Sequence, residues 1–126
     1  MIFDIKVPIL GFEQIKKVEL SKIDDFFTEL KSCDDETKFM LINPFMLRDY
    51  DITIPDFFKN LLELKKDSNM LVLNIMIVSK PIETSVVNFL APLVFNIDEK
   101  SAAQVLLDSS KHKDYGLLEN ISNYIK

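Results

Sequence analysis

The side chains able to act as catalytic acids, bases, nucleophiles or metal ligands are few in this sequence, and they do not cluster. His112 is the only histidine, and it lies among Lys111, Lys113 and Asp114. A metal or catalytic site needs several convergent groups, so the favoured interpretation of His112 is a solvated loop residue. A Ser-His-Asp or Cys-His nucleophilic arrangement would have to use this same histidine, and the spacing does not indicate one. We therefore expect no catalytic residue.

The one thiol and the acidic clusters also lack the context of a reactive site. Cys33 is the only cysteine, so no internal disulfide can form and a reducing compartment is indicated. The runs Asp24-Asp25 and Asp34-Asp35-Glu36 fall in predicted turns and do not match a calcium loop, which favours solvated surface. Only Gly11 and Gly116 are present, too few for a glycine-rich phosphate loop. The sequence thus predicts neither a metal nor a cofactor.

Amide side chains embedded in apolar segments are the remaining polar feature. Because a buried amide is costly unless it is hydrogen-bonded, these residues either satisfy turns and bulges of the fold, which is the favoured interpretation, or contact a partner. A pocket lined by Asn88, Asn96 and Tyr50 would be the basis of an alternative function as an enzyme. The apolar strands over 70–97 are the basis of a further alternative, an unrelated small ligand-binding β-barrel. The amides are Asn43, Asn74, Asn88, Asn96 and Gln104.

Length and composition indicate a single domain spanning residues 1–126. Hydrophobic residues form 48% of the chain and charged residues 28%, which argues against disorder. The longest apolar run, 70–78, is about half the length of a membrane-spanning helix, and the first six residues lack the pattern of an export signal. We expect a soluble cytoplasmic protein that is monomeric alone and has no membrane contact.

The charge balance bears on the partners of this protein. The net charge is −5, and lysine and arginine are spread thinly along the chain. Proteins that hold phosphate backbones concentrate positive charge on one face, so no direct contact with nucleic acid is expected. An anionic surface instead favours encounters with a basic protein, and added salt would weaken them.

The segments that must position these residues are predicted mainly as short strands. The stretch 21–30 could instead be helical, with Ser21 as its N-cap. Pro92 lacks the N–H that a central ladder needs, so a bulge or bend should divide 84–97 at this residue. Period-two alternation, apolar runs and turn residues predict strands over 3–7, 15–20, 26–31, 38–43, 50–54, 70–78, 84–97 and 103–107.

The remaining patterns predict helices and the fold class. Helical spacing of apolar residues predicts an amphipathic helix over 55–66 and a C-terminal helix over 116–126. The run 70–78 is too continuous to have a solvated face, so it should lie in the middle of the sheet. Within 84–97, alternation places Val87, Phe89, Leu93 and Phe95 on one face. Together these elements predict a mainly β fold, a small antiparallel β-barrel-like domain with one or two short helices.

Several segments in a fixed order resemble a known family. The most specific are Asn-Phe-Leu-Ala-Pro-Leu-Val-Phe-Asn at 88–96 and Gln-Val-Leu-Leu at 104–107. With the other matching segments, they make most of the chain similar to the flagellar assembly factor FliW family. The chain departs from the family at Leu10, where proline is usual, and at 101–103, where a glycine is usual, and it matches least past Tyr115. The other matching segments are Gly11-Phe12-Glu13, 39–44, Tyr50 with the strand after it, and Val78-Ser79.

The resemblance implies a compact β-barrel-like protein that binds flagellin in the bacterial cytoplasm and also binds CsrA, an RNA-binding translational regulator. Flagellin would occupy the factor and leave CsrA free to repress flagellin translation, and flagellin export would let the factor capture CsrA. Partner contact would use exposed strand edges and the loops near 43–44 and 91–92, aided by acidic residues at the rim. The predicted partner-binding residues are Phe12, Asn43, Pro44, Tyr50, Asn88, Pro92, Asn96 and Gln104.

Overall fold

Alternating and apolar segments of the chain form the short strands of a single sheet. The computed structural model describes residues 1–124, and within them nine strands and one α-helix are present. Single 3₁₀ turns lie at Pro44–Met46, Ile82–Thr84 and Ile121–Asn123. The strands and the helix are β1 (Ile2–Val7), β2 (Lys17–Lys22), β3 (Phe27–Ser32), β4 (Lys38–Ile42), α1 (Asp56–Leu61), β5 (Met70–Ile77), β6 (Val86–Val87), β7 (Leu93–Asn96), β8 (Ser101–Gln104) and β9 (Glu119–Asn120).

Seven of these strands close into a barrel, so the predicted mainly β, barrel-like fold is confirmed. The order around the ring is β4-β3-β2-β1-β8-β7-β5, and pairing of β4 with β5 closes it, while β6 and β9 extend the sheet outside the ring. The neighbours β1 and β8 are parallel, and the other ring pairs are antiparallel. The expected fully antiparallel arrangement is wrong at this pair, because a closed ring with an odd number of strands cannot alternate in direction all the way round.

The barrel interior is filled by side chains from every strand of the ring. Phe3 and Phe95 are fully buried and meet edge to face, with ring centroids 5.0 Å apart. Burial of apolar surface of this kind is the main favourable contribution to folding. The buried members of this interior cluster are Phe3, Ile9, Ile15, Val18, Leu30, Leu41, Leu73, Leu93, Phe95 and Ala102.

A second apolar core lies outside the ring, against the opposite faces of β4, β5, β7 and β8. The segment 47–64, which includes α1, and the C-terminal part of the chain contribute side chains to it. β5 is therefore buried on both sides, with Val72 in the outer core and Leu73 in the interior. Because β5 also pairs with β4, β6 and β7, the prediction that 70–78 lies in the middle of the sheet is confirmed.

The bend predicted at Pro92 is present, and it changes the face that the chain presents. β6 ends at Val87 and β7 begins at Leu93, with an irregular segment between them. Val87 and Phe89 pack in the outer core, whereas Leu93 and Phe95 pack in the interior. The single face predicted for these four residues is therefore wrong, because alternation holds only along an uninterrupted strand.

The strand predicted over 50–54 is absent from the structure. Side-chain acceptors take the backbone donors of this segment: Asp51 N–H donates to the Tyr115 hydroxyl (2.7 Å) and Thr53 N–H donates to His112 Nε2 (3.1 Å). Every buried backbone N–H needs a hydrogen-bond acceptor. In this segment the side chains of Tyr115 and His112 are the acceptors, whereas in a strand they would be carbonyls of a neighbouring strand.

Other boundaries differ from the sequence prediction as well. The helix predicted over 55–66 is shorter, because α1 ends at Leu61 and Glu63 then adopts a φ of 55°, which is incompatible with a continuing helix. The helical alternative for 21–30 is wrong, since β2 and β3 pair across this region. The strand predicted over 103–107 begins and ends earlier, as β8.

The C-terminal helix predicted over 116–126 is not formed in its described part, 116–124. Glu119 of β9 pairs with Val87 of β6, and the side chain of Asn120 accepts a hydrogen bond from Ser122 N–H (3.0 Å) at the start of a 3₁₀ turn. Residues 125 and 126 lie outside the described chain. In residues 1–124, none of the helices combines the length and the apolar character needed to cross a bilayer.

Candidate protein-binding surface

His112 is a structural residue, and the expectation that it is solvated is wrong. Only 7% of it is exposed. Its Nδ1 lies 2.8 Å from the Asp108 carbonyl, which can only accept, so Nδ1 donates there. Its Nε2 accepts from Thr53 N–H at 3.1 Å, which fixes the neutral tautomer. The ring also stacks on Tyr115, so His112 ties the loop after β8 to the segment before α1.

The other candidates for chemistry lie at the surface. Cys33 is a free, exposed thiol. The Asp24-Asp25 and Asp34-Asp35-Glu36 runs are exposed as predicted. Across residues 1–124, no three His, Cys, Asp or Glu side chains come together in a way that could hold a metal ion.

Asn96 was predicted to contact a partner, but in the structure its side chain makes hydrogen bonds within the fold. Its side chain is fully buried. Nδ2 donates to the carbonyl oxygens of Leu62 (2.7 Å) and Glu63 (3.3 Å), which follow α1. Oδ1 accepts from Asp98 N–H (3.1 Å) and Glu99 N–H (3.2 Å), which shapes the turn from β7 to β8. All four contacts are internal to the chain.

The two proline segments predicted to contact partners are also held within the fold. Asn43 Oδ1 accepts from Phe45 N–H (3.0 Å) and so caps the 3₁₀ turn that begins at Pro44, which is buried. Pro92 is buried, and its carbonyl accepts from Val105 N–H at 2.9 Å. Both prolines are therefore buried, and the Asn43 side-chain oxygen bonds within the fold.

Tyr50 belongs to a buried hydrogen-bond network with Asn74 and Asn88. Its hydroxyl donates to the Phe89 carbonyl and accepts from Asn74 Nδ2 at 3.2 Å. Asn74 Nδ2 also donates to the Asn88 carbonyl at 2.7 Å, while Asn74 Oδ1 has no hydrogen-bond partner within the described chain. Burial raises the pKa of the Tyr50 hydroxyl well above its ordinary value. Tyr50, Asn88 and Asn96 therefore do not form the common ligand pocket considered as the alternative.

Tyr50→Phe is expected to lower the free energy of unfolding by about 1–3 kcal/mol, because the Phe89 carbonyl loses a buried donor. The difference from the unchanged protein should shrink above pH 10.0, since the unfolded tyrosine ionises there while the buried hydroxyl stays protonated. Urea unfolding of both proteins between about pH 7 and pH 11 measures this. A difference that is constant across that range would contradict a buried, protonated Tyr50.

Three predicted residues, Phe12, Asn88 and Gln104, do come together at one open end of the barrel. Gln104 Oε1 accepts from Leu10 N–H at 2.7 Å, and its Nε2 donates to the Ala91 carbonyl at 3.4 Å. Phe12 packs edge to face on a neighbouring aromatic ring of β4. Gln104 thus joins the loop after β1 to the bend before β7 and shapes this end of the barrel.

This end of the barrel is a broad apolar concavity of about 730 Å³, which we call the apolar mouth. Leu10, Leu106 and Leu118 line it and are 83%, 62% and 65% exposed. A contiguous exposed apolar patch on a folded protein marks an interaction site. The lining residues are Val7, Pro8, Ile9, Leu10, Phe12, Lys38, Phe39, Met40, Phe58, Ile75, Met76, Ile77, Val78, Asn88, Ala91, Gln104, Leu106, Leu117 and Leu118.

The exposed aliphatic residues of the apolar mouth were missed at the sequence level, because apolar patterns were assigned to the core. For Leu106, the sequence pattern did indicate an exposed side chain. Val105 and Leu107 are buried, so alternation from either of them places Leu106 on the opposite side, together with Gln104. Leu117 and Leu118 gave no such signal, since their spacing also fitted a helix face.

An ordered acidic turn borders the apolar mouth. Asp34-Asp35-Glu36 joins β3 to β4 and comes just before Lys38, which lines the mouth. Asp34 Oδ2 accepts from Lys16 N–H at 3.1 Å. Asp35 Oδ1 accepts from Thr37 N–H at 2.9 Å, and this backbone hydrogen bond lowers the pKa of the Asp35 carboxyl. These hydrogen bonds therefore hold the Asp34 and Asp35 carboxylates in fixed positions in the turn.

Comparison with known proteins finds close relatives. The family model described as "FliW protein" matches residues 1–117. The "Flagellar assembly factor FliW 2" of Wolinella succinogenes is 50% identical over 125 residues, which is 98% of this chain and 92% of that protein. The "Flagellar assembly factor FliW" of Sulfurimonas denitrificans is 52% identical over 127 residues, covering 100% of this chain and 99% of that protein.

A solved structure shares the fold. The crystal structure of the flagellar assembly factor FliW aligns with a TM-score of 0.84 over 95% of this chain and 84% of that chain. The two sequences are 24% identical, so this likeness speaks to the fold alone.

Proposed function

This chain belongs to the FliW family of flagellar assembly factors, and from that premise we propose that it binds flagellin as a cytoplasmic chaperone and antagonises the translational regulator CsrA. The protein acts by binding one partner or the other, and it catalyses no reaction. Flagellin fills the factor while flagellin is abundant, and its export leaves the factor free to capture CsrA. Flagellin level is thereby coupled to flagellin translation.

The observation that supports a binding role is the apolar mouth. It exposes several large aliphatic side chains together, while residues 1–124 contain no metal-ligand cluster. Exposed apolar surface costs solubility unless a partner covers it, so a protein-binding function explains its presence. The barrel interior is occupied by its own side chains, which disfavours an unrelated ligand-binding barrel.

Charge supports CsrA as the second partner. The net charge is −5, and the resemblance implies a partner that binds RNA through basic surfaces. An anionic protein attracts such a surface and, once docked, repels RNA phosphates from it. This accounts for antagonism without direct contact between this protein and RNA.

A titration with both partners tests the proposal. Labelled CsrA is bound to the purified protein, and flagellin from the same bacterium is then added. We expect each protein to bind alone and flagellin to release CsrA. If neither flagellin nor CsrA binds at low ionic strength, the proposed function is wrong.

Charge reversal in the acidic turn should slow partner association. Replacing Asp34, Asp35 and Glu36 by lysine is expected to reduce the association rate with CsrA about 3- to 10-fold at low salt and to flatten its salt dependence. Stopped-flow measurements over a range of salt concentrations check this.

Reversal of Asp24 and Asp25, an exposed acidic pair in the turn between β2 and β3, is the matched control. Glu36→Lys alone guards against a folding artefact, because the Asp34 and Asp35 carboxylates accept backbone hydrogen bonds. An unchanged rate in the triple variant would show that the acidic turn takes no part in association.

A further inference from the structure

The apolar mouth is large and assembled from separate parts of the chain. Its volume of about 730 Å³ falls in the range of roughly 300–1,000 Å³ typical of whole ligand pockets, and so exceeds what one inserted side chain would need. The exposed aliphatic groups come from the loop after β1, the end of β5, the chain after β8 and the segment before β9. The apolar mouth therefore has room for several apolar side chains of a partner at once.

A partner strand finds little backbone to pair with at this surface. The last register pair between β4 and β5 is Met40 with Met76, so β4 offers only Lys38 and Phe39 beyond it. Two residues are too few for stable strand addition, which depends on a row of main-chain hydrogen bonds. An α-helix satisfies its own backbone and needs only a concave apolar surface for the side chains on one face.

The composition of the apolar mouth also suits a helix. Met40 and Met76 both line it, and methionine side chains adjust to the shape of an inserted apolar residue. Among residues 1–124, Lys38 is the only charged residue of the lining. It is exposed, and within residues 1–124 it makes no salt bridge. An occupant that brings a carboxylate beside its apolar side chains would pair with this ammonium group.

We propose that the apolar mouth docks an amphipathic α-helix of a protein partner, with apolar side chains at helical spacing against Leu106 and Leu118 and an acidic residue beside that stripe paired with Lys38. This inference rests on the proposed function, because it assigns the surface through which the factor holds a partner. Salt bridging to Lys38 sets the orientation of the helix, and the aliphatic contacts supply most of the affinity.

Single substitutions at exposed positions test this surface without disturbing the core. Leu106→Asp and Leu118→Asp replace side chains that are 62% and 65% exposed, and Ile23→Asp, at a site 57% exposed outside the mouth, is the matched control. We expect the two mouth variants to bind a helix-docking partner, flagellin or CsrA, at least ~30-fold more weakly and the Ile23 variant to bind normally. Melting temperatures of all three should stay near that of the unchanged protein.

Peptides identify the docked segment and its conformation. Overlapping peptides of about 20 residues covering flagellin and CsrA are titrated with the full chain, and circular dichroism follows the peptide that binds. We expect that peptide to gain helix on binding. Lys38→Glu should weaken it about 5-fold, and replacing the acidic residue of the peptide by lysine should restore binding to that variant.

The possible failures are distinguishable. If intact flagellin or CsrA binds but the Leu106 and Leu118 variants bind equally well, the mouth is not the docking surface and the proposed function stands. If the bound peptide remains extended, the helical occupant is wrong. If neither intact partner binds the unchanged protein, the proposed function fails, and this inference fails with it.

Discussion

Asn96→Ala is expected to lower the free energy of unfolding by about 3 kcal/mol. The substitution removes two donated hydrogen bonds to the carbonyls of Leu62 and Glu63 and two accepted bonds from Asp98 and Glu99. Leu62 and Asn96 are fully buried, so water cannot readily replace the lost donor, and the Leu62 carbonyl keeps only the longer hydrogen bond from Ser101 Oγ at 3.2 Å. An intramolecular hydrogen bond contributes about 0.5–1.5 kcal/mol, so the loss of four of them, two of which shape the turn between β7 and β8, accounts for this value.

Urea denaturation followed by circular dichroism measures the loss, and Asn43→Ala is the matched control. Asn43 also caps a local turn, through one bond to Phe45 N–H, but its side chain is only partly buried. We expect the control to lose about 1 kcal/mol. Equal losses in the two variants would mean that burial of Asn96 contributes nothing beyond an ordinary cap.

The strand pattern was predictable wherever side chains alternate against a neighbouring strand. Alternation of Phe3, Ile5 and Val7 with charged residues located β1, and the continuous apolar run located β5 in the middle of the sheet. It failed near 50–54, because the backbone of that segment bonds to His112 and Tyr115. Such partners come from distant parts of the chain, and local periodicity carries no information about them.

Local patterns also cannot reveal whether the ring has an odd or an even number of strands, and so whether it must contain a parallel pair. Each strand was predicted from its own residues. The residues of β1, for example, do not indicate which strand will lie beside it. The parallel pairing of Asp4 with Ser101 joins segments far apart in sequence. It follows from closing seven strands into one ring, and so becomes visible only when all the strands are placed.

The amide residues could be identified from the sequence, but their hydrogen-bond partners could not. Buried amides need partners, and the sequence left open whether the fold or another protein supplies them. The structure gives Asn96 four internal bonds and holds Asn74 against Tyr50. Gln104, by contrast, lines the apolar mouth while bonding within it. Amide composition therefore indicated where the chain is constrained, but exposed aliphatic groups mark the candidate surface.

Arg48 is the residue that fastens the C-terminal segment to the barrel. Its guanidinium group lies over the rings of Phe89, Tyr115 and Tyr124, at 5.2, 4.7 and 5.1 Å from their centroids. It donates to the Tyr124 hydroxyl at 2.8 Å. It also forms a salt bridge with Glu119 at 3.5 Å, in which the side chains are only 16% and 20% exposed.

The same segment carries two side chains of the apolar mouth. Leu117 and Leu118 lie between Tyr115 and Glu119, both of which contact Arg48, and both leucines line the mouth. β9 adds only a two-residue ladder to β6, so backbone pairing alone holds this segment weakly. Anchorage by Arg48 should therefore decide whether Leu117 and Leu118 stay in place.

Arg48→Met is expected to destabilise residues 114–124 by about 2–3 kcal/mol, because it removes the cation from the Glu119 carboxylate, which is only 20% exposed and keeps hydrogen bonds from Gly116 N–H and the Tyr124 hydroxyl. Hydrogen exchange should show the loss at Ile121 N–H, which donates to the Ser85 carbonyl, and at Phe89 N–H, which donates to the Gly116 carbonyl.

Two control variants test whether the effect comes from the buried position and the shape of the Arg48 side chain. Lys17→Met removes an exposed salt bridge to Asp4 and should change stability by under about 0.5 kcal/mol. Arg48→Lys keeps the charge but not the planar fork, so an intermediate effect is expected. Unchanged exchange at Ile121 and Phe89 in the Met variant would show that β9 holds the segment without Arg48.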